Sequence, residues 1–343
     1  MESTAGPSRS SVKFAVFAVV GLFCLNQTMW EVSTFYRFVE LSGLERLRDE
    51  LAYAGEQLDL CGTIILANEG INSTIAGRPQ NLREFMALLC RMAPFAAMEE
   101  KISSADKEPF YRFKVRIKKE IVTLGVQGIN AAKEAGTYVS AVDWNRLIQD
   151  EDVVVIDTRN RYETRIGRFA GSVDPGTESF RQFPQWVDQN LDPQKTRKVA
   201  MYCTGGIRCE KATALLKARG FAEVYHLRGG ILKYLEEVKP EASLWEGECF
   251  VFDGRVGIGH GLEQGGHVLC AGCRRPLSPE DLADPQYEAG VVCGYCNEGA
   301  SDAVKSARRE RHKQIRLAAE RGLSHLGPKS MKAERQVDGG SGP

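Results

Sequence analysis

Cys203, Thr204, Gly205, Gly206, Ile207 and Arg208 form a short segment in which four residues separate a thiol from a guanidinium. The apolar run 198–202 before it reads as a buried strand, and 209–220 after it reads as a helix with a glycine stop. A cysteine between a strand end and a helix start has its thiolate near backbone N–H groups and the positive end of the helix dipole, and both lower its pKa. Gly205 and Gly206 let the loop curl with its N–H groups inward, so Thr204, Gly205, Gly206 and Ile207 make an anion cradle. Arg208 adds a fixed positive charge. The arrangement suits a reactive thiolate, or a persulfide carried on it, with Cys203 and Arg208 as the catalytic pair. Cys209 either resolves an oxidised Cys203 by forming a disulfide or packs its helix as a small residue.

A second cysteine group lies downstream. Cys270 and Cys273 form one CxxC pair and Cys293 and Cys296 another, nineteen residues on. Four thiolates satisfy a tetrahedral zinc ion and leave no open position, so the expected metal is structural zinc, with an iron–sulfur cluster as its rival. His260 and His267 precede the first pair and are not needed as ligands.

Basic residues are concentrated locally, although the chain of 343 residues has a formal net charge of +0. In 111–119, Tyr111, Phe113, Val115 and Ile117 alternate with Arg112, Lys114, Arg116 and Lys118. That period places the apolar set on a core and the basic set on the other face, which either tracks an RNA backbone or is solvated. Residues 303–321 read as a helix, and 305–335 holds ten Lys or Arg against three Glu. Arg308, Arg309 and Arg311 there are further candidates for phosphate contact, the alternative being a solvated helix.

These groups need a framework. Strands at 153–157, 199–203 and 224–227, with helices near 180–190 and after Arg208, give an α/β pattern with a mainly parallel sheet and the cysteine loop at a strand's C-terminal end. Asp157, Arg159 and Arg181 lie upstream of this loop and are candidates to support it. The two arginines either position an anionic or polar group near Cys203 or pair with Asp157 or Glu163. Upstream, strands at 32–38, 63–67, 71–76 and 110–117 and helices at 44–55 and 81–92 suggest an α+β sandwich with helices on one face of an antiparallel sheet. The 68–72 segment, Asn-Glu-Gly-Ile-Asn, either lines a base or phosphate pocket or is an ordinary turn. Ten cysteines, several in chemical motifs, point to a reducing compartment. The twelve apolar residues 14–25 are too short for a usual membrane span. They are read as a mis-called start or dispensable extension in preference to an export signal.

The cysteine loop resembles that of rhodanese-like domains. Related cysteine phosphatases use a loop one residue longer, sized for phosphate. Asp157-Thr158-Arg159, Tyr162-Glu163 and Leu227-Arg228-Gly229-Gly230 continue the likeness, while Arg168 stands where a histidine is usual. Over a longer span the chain resembles the oxygen-dependent tRNA uridine hydroxylases that make 5-hydroxyuridine at the wobble position. The likeness is carried by Phe35-Tyr36-Arg37-Phe38, by 62–72, by 118–125, by 203–211, by 225–236 and by 245–253.

The resemblance implies an N-terminal extension at 1–30, disordered or a mis-called start, an acylphosphatase-like (ferredoxin-like) α+β domain at 32–125 and an α/β rhodanese domain at 136–240. A cysteine-rich domain with zinc knuckle and basic helix follows at 245–335, then a disordered tail at 336–343. It also implies a cytoplasmic enzyme that holds the tRNA anticodon arm, takes molecular oxygen as co-substrate, draws on an unnamed electron donor and needs no membrane. A sulfurtransferase passing sulfur from Cys203 to a thiol or tRNA acceptor is the alternative. Neither a flavin fingerprint nor an open iron triad is visible, so oxygen chemistry rests on the resemblance alone.

Overall fold

The computed structural model describes residues 29–96 and 98–321. The apolar stretch 14–25, Lys329, Lys332, Arg335 and the tail from 336 lie outside the described residues.

The N-terminal unit runs β1 (Trp30–Phe38), α1 (Leu44–Gln57), β2 (Cys61–Ala67), β3 (Gly70–Gly77), α2 (Pro79–Arg91), β4 (Glu100–Ala105) and β5 (Phe113–Ile117). Its five strands lie in the order β4-β1-β3-β2-β5. Helix α2 starts on proline and buries Leu82, Phe85, Met86 and Leu89, the i, i+3, i+4, i+7 stripe of an amphipathic helix. That stripe packs with Phe35, Ile64, Leu66, Ile71 and Ile75 of the sheet. Strand alternation sends Thr34, Tyr36, Thr63, Ile65, Asn72 and Thr74 to the opposite face, in register across β1, β3 and β2.

Three features depart from the sequence reading. Strand β5 runs parallel to β2, so the sheet is mixed, because α2 and β4 carry the chain back before β5 enters. The strand also begins at Phe113, which leaves Tyr111 outside it and 65% exposed instead of packed on the core. Strand β4 was not visible in sequence: Glu-Lys-Ile-Ser-Ser-Ala has no apolar run, and it sits at the sheet edge.

The middle unit contains α3 (Ala131–Glu134), β6 (Thr137–Val139), α4 (Ala141–Ile148), β7 (Val153–Asp157), α5 (Arg161–Thr164), β8 (Gly167–Phe169), α6 (Phe183–Asn190), β9 (Lys198–Tyr202), α7 (Ile207–Ala218), β10 (Glu223–Leu227) and α8 (Gly230–Glu237). Strands β6-β10-β9-β7 make a wholly parallel sheet. Both faces are covered, as parallel sheets require. Val199 and Met201 pack with Phe183, Leu215 and Leu216 from α6 and α7. Ala200 and Tyr202 pack with Trp144, Ile231 and Tyr234 from α4 and α8.

The C-terminal part is sewn onto this unit by β11 (Trp245–Gly247), which pairs antiparallel with β8. Two small hairpins follow, β12 (Cys249–Phe250) with β13 (Gly257–Ile258) and β14 (Val268–Leu269) with β15 (Pro276–Leu277). The short α9 (Pro279–Leu282) precedes α10 (Asp302–Glu320), whose N-cap Ser301 accepts from the Val304 N–H.

Polar contacts lock the parts together. Buried Lys211 of α7 pairs with Glu69 at 2.8 Å and Glu120 at 2.6 Å. Arg255, from the C-terminal part, donates to Ser103 Oγ at 2.6 Å and to the Ser104 carbonyl at 3.1 Å, both on β4. Removing one partner of such a buried charge leaves the other uncompensated, so these contacts specify one docking geometry.

Candidate active site

Strand β9 ends at Tyr202, and Cys203 follows it at the centre of the parallel sheet, fully buried. Four residues later α7 has begun. The Gly206 N–H donates to Cys203 Sγ at 3.1 Å. Gly206 sits at φ 102°, a left-handed conformation that favours glycine, and a Cβ there would also meet the Tyr36 hydroxyl. The carbonyls of the loop point the other way. Those of Cys203 and Thr204 accept from the N–H groups of Ile231 at 2.9 Å and Leu232 at 3.1 Å, in the first turn of α8. Gly230, at φ 67°, is what lets α8 come so close, because a Cβ would strike both carbonyls. The glycine pair ending the β10 turn therefore belongs to the cysteine loop.

Burial by itself would raise the Cys203 pKa. The Cys209 thiol hydrogen bond, the Arg208 charge and the backbone N–H groups of Cys209 and Gly206 outweigh it and bring the pKa down to about 5. At neutral pH the group is a thiolate. Cys209 moves the opposite way: burial and the neighbouring Cys203 charge push its thiol up, so it acts as donor. Its sulfur also lies 3.5 Å from Thr158 Oγ1. Cys249, buried nearby, is pushed up to about 12 by burial.

Arg208 is held by a residue that the sequence offered only as a partner for Arg159 or Arg181. Glu163, fully buried in α5, accepts from Nη1 at 2.7 Å and Nη2 at 2.8 Å. Thr204 Oγ1 lies 3.3 Å from Arg208 Nη2 and 3.4 Å from Glu163 Oε2. Burial opposes ionisation of Glu163, but the Arg208 charge and hydrogen bonds hold its carboxyl below the usual carboxylate range. The capping box that Glu163 makes with Asn160 fixes it in the first turn of α5. An Asn-x-x-Glu pattern at 160–163 was the available signal.

The loop opens on a cavity of about 470 Å³ where all three parts meet. Its walls include Cys203 and Phe180 from the middle unit, Tyr36 and Asn72 from the N-terminal sheet, and Phe252 and Leu262 from the C-terminal part. That volume falls within the range of small-molecule sites. Phe252 is 58% exposed at the rim. Lys101 of β4 crosses from the N-terminal unit, donating to the Gly205 carbonyl at 3.2 Å and lying 5.7 Å from the Tyr36 ring centroid. Burial lowers its pKa and the Cys203 charge opposes that. Tyr36 donates to Glu210 at 2.7 Å.

Residues 30–121 match the UPF0176 acylphosphatase like domain, and residues 140–237 match the Rhodanese-like domain. The chain is 50% identical over 310 residues to a tRNA uridine(34) hydroxylase of Teredinibacter turnerae, covering 90% of this chain and 97% of that one. It is 52% identical over 296 residues to the protein of that name from Rhizobium etli, covering 86% and 96%. The chain belongs to the tRNA uridine(34) hydroxylase family. Its acylphosphatase-like and rhodanese-like domains are therefore those expected from the sequence.

Within this family framework the other expected site residues separate. Asp157 and Arg159 form a buried pair, with Nη2 to Oδ2 at 2.6 Å, and Arg159 also donates to the Gly167 carbonyl at 2.6 Å. Neither lines the cavity. They brace the end of β7 against β8, and of the two readings offered for Arg159 the structure shows the pair with Asp157. Arg181 is exposed, lies beside Gly125 and also stays outside the cavity, whereas its neighbour Phe180 lines it. In 68–72, Glu69 pairs with Lys211, while Asn72 reaches the cavity and donates to the Ile121 carbonyl at 3.0 Å.

The basic strand and basic helix meet. Arg112, Lys114, Arg116 and Lys118 line a groove of about 430 Å³ together with Arg311 of α10. Thr63, Ile65, Phe110 and Lys118 belong to both this groove and the Cys203 cavity. Lys114 is held below the usual lysine range, first by the Arg112 charge, then by desolvation and Arg116. Arg308 and Arg309 are placed otherwise than expected. Arg308 donates to the carbonyls of Val291 at 3.1 Å and Gly272 at 3.2 Å. Arg309 is paired with Glu288 at 2.5 Å.

Cys270, Cys273, Cys293 and Cys296 converge, with their sulfurs all within 4.8 Å of one another. The separations 270–296, 273–293 and 293–296 are 3.9, 3.8 and 3.9 Å. A tetrahedron with zinc–sulfur bonds of about 2.3 Å has edges of about 3.8 Å, so the four sulfurs fit such an ion. The Gly272 N–H donates to Cys270 Sγ at 3.3 Å, and Arg308 ties both knuckles together.

Proposed function

We propose that this protein is an oxidoreductase that hydroxylates C5 of uridine 34 in tRNA, with dioxygen as co-substrate and Cys203 as the reacting group. The observation that carries this is the Cys203 thiolate at the floor of a cavity of about 470 Å³ that opens beside a cationic groove. The near-full-length identity to relatives named for this reaction supports it.

The residues have distinct tasks in this reading. Arg112, Lys114, Arg116, Lys118 and Arg311 take the phosphates of the anticodon arm. The target uridine leaves the stack, since chemistry on a base requires it, and enters the cavity past Phe252 and Phe180. Cys203, as thiolate or persulfide, meets the base. The Gly206 N–H, Cys209 and Arg208 stabilise its negative charge, and Glu163 positions Arg208. One oxygen atom of dioxygen enters the base and the other leaves as water, so a donor outside this chain supplies two electrons. Cys270, Cys273, Cys293 and Cys296 would hold a zinc ion, which would stiffen the C-terminal part and leave no open position for substrate. The enzyme acts in the cytoplasm, and no helix among the described residues is long and apolar enough to cross a membrane.

The test is mass spectrometry of tRNA nucleosides from a strain lacking the gene, complemented with wild-type or Cys203→Ala protein. Loss of 5-hydroxyuridine and its derivatives, restored by wild type alone, is the expected result. Loss of a thiolated nucleoside with 5-hydroxyuridine intact would make the protein a sulfurtransferase instead.

A further inference from the structure

A second cavity, of about 520 Å³, lies on the far side of the Tyr36–Lys101 wall from the main body of the Cys203 cavity, and those two residues line both. Its character is different. The first is walled largely by apolar and neutral side chains. The second carries four cationic groups, Arg37, Lys101, Lys133 and Arg228, against two carboxylates, Glu99 and Glu210. Glu210 is already engaged by the hydroxyls of Tyr36 and Tyr138. Arg37 is not engaged in the same way: its Nη1 is buried and meets no hydrogen-bond partner among the described residues. A guanidinium nitrogen taken out of water without an acceptor is costly, and an oxyanion is the group that satisfies it best. The Arg228 guanidinium lies 5.3 Å from the Tyr138 ring centroid, at the open side, while Lys133 is exposed there.

We propose that this cavity binds a phosphate of the RNA strand adjoining the uridine held at Cys203. This rests on the tRNA reading above and extends it. A nucleotide's base and its backbone phosphates are joined through one sugar, so a single strand can place a base in the Cys203 cavity and a phosphate in the neighbouring cavity that shares Tyr36 and Lys101 with it. The strand then crosses the active site between two cationic surfaces, the β5 groove on one side and the Arg37 cavity on the other. Lys101 serves both, touching the cysteine loop at Gly205 and facing the phosphate cavity.

The experiment measures binding of an anticodon stem-loop RNA to the full chain over a range of salt, for wild type, Arg37→Gln and the double variant Lys133→Gln/Arg228→Gln. The double variant changes only exposed side chains, so it keeps the test sound if Arg37→Gln folds poorly. Expected are a five- to twenty-fold weakening for Arg37→Gln and a slope of log affinity against log salt smaller by about one. The double variant should weaken binding by about three- to ten-fold, and Cys203 alkylation at pH 7 should match wild type in both. Unchanged affinity and slope in both variants would overturn the proposal while leaving the tRNA reading intact. Failure of the wild type itself to bind the stem-loop would overturn that reading as well. Calorimetry with inorganic phosphate forms the second arm. Phosphate binding that Arg37→Gln abolishes, with stem-loop affinity unaltered, would assign the cavity to a free anion and overturn its role in holding the strand.

Discussion

The cysteine loop at 203–208 and the cysteine knuckle at 270–296 use the same functional group to opposite ends. In the loop, one sulfur receives a backbone N–H, a thiol hydrogen bond and the field of a guanidinium, and it faces a cavity. In the knuckle, four sulfurs face one another within 4.8 Å. A thiolate becomes a reagent when its charge is stabilised by groups that leave one side open, and a ligand when its neighbours are other thiolates closed around an ion. Cys249 makes the same point from a third position. It is as buried as Cys203, but the Arg159 charge and a hydrogen bond with Thr204 do not offset that burial, so its pKa is pushed up to about 12, and it stays a packing residue.

The contrast can be broken most forcefully at Cys203. Cys203→Ala should lower 5-hydroxyuridine formation at least about a thousandfold, read by nucleoside mass spectrometry, while leaving metal content unchanged. A variant retaining more than a tenth of wild-type activity would remove Cys203 from the chemistry.

Glu163→Gln comes next. It strips the partner from a buried guanidinium, so a loss of about 3–5 kcal/mol is expected in denaturant unfolding. Glu163→Asp should recover only part of it, because the shorter side chain cannot make both contacts to Arg208.

The knuckle should respond in the reverse sense to the loop. Native mass spectrometry of the purified chain is expected to show one zinc ion, and Cys270→Ser/Cys273→Ser should lose it and lower Tm by several degrees. Cys203 should still alkylate at pH 7; if its reactivity vanished with the metal, the two regions would not be independent.

The pH dependence sharpens the same comparison. Iodoacetamide reacts with the thiolate, so its rate should rise as pH increases through about 5 and be nearly level by pH 7. Cys209→Ala removes a donor that lowers the Cys203 pKa, which should move that midpoint up toward the ordinary thiol range. An unmoved midpoint would mean that the N–H groups and Arg208 suffice alone. The smallest effect is expected at Arg311→Gln: stem-loop affinity weaker by about two- to threefold, with a slightly shallower salt slope.

Parts of the site differ in how far they could be read in advance. The strand, loop and helix around Cys203 are a continuous run, and their apolar and glycine pattern is local, so β9 and α7 were legible to within one or two residues. Both CxxC pairs are local too. For Arg159 the sequence offered two readings, a group near Cys203 or a pair with Asp157 or Glu163, and only the fold selects the pair with Asp157. Arg308, Arg309 and Arg311 look alike along a charged helix, and only the packing of α10 against the knuckle sends the first two to carbonyls and Glu288 and the third to the β5 groove.

What the sequence alone determined is the chemistry that short-range geometry can encode: a thiol at the start of a helix, glycines that let a loop curl, two CxxC pairs and the periodicity of the main helices and strands. Backbone hydrogen bonding and side-chain period act over a few residues, and a single chain segment displays them. The tertiary structure alone decided which distant groups complete the site. Glu163 reaches Arg208, Lys101 and Tyr36 reach the loop from another domain, and Phe252 closes the rim. Those contacts depend on strand register and on how three parts dock, and buried ion pairs such as Lys211 with Glu69 and Glu120 select that arrangement only after the chain has folded.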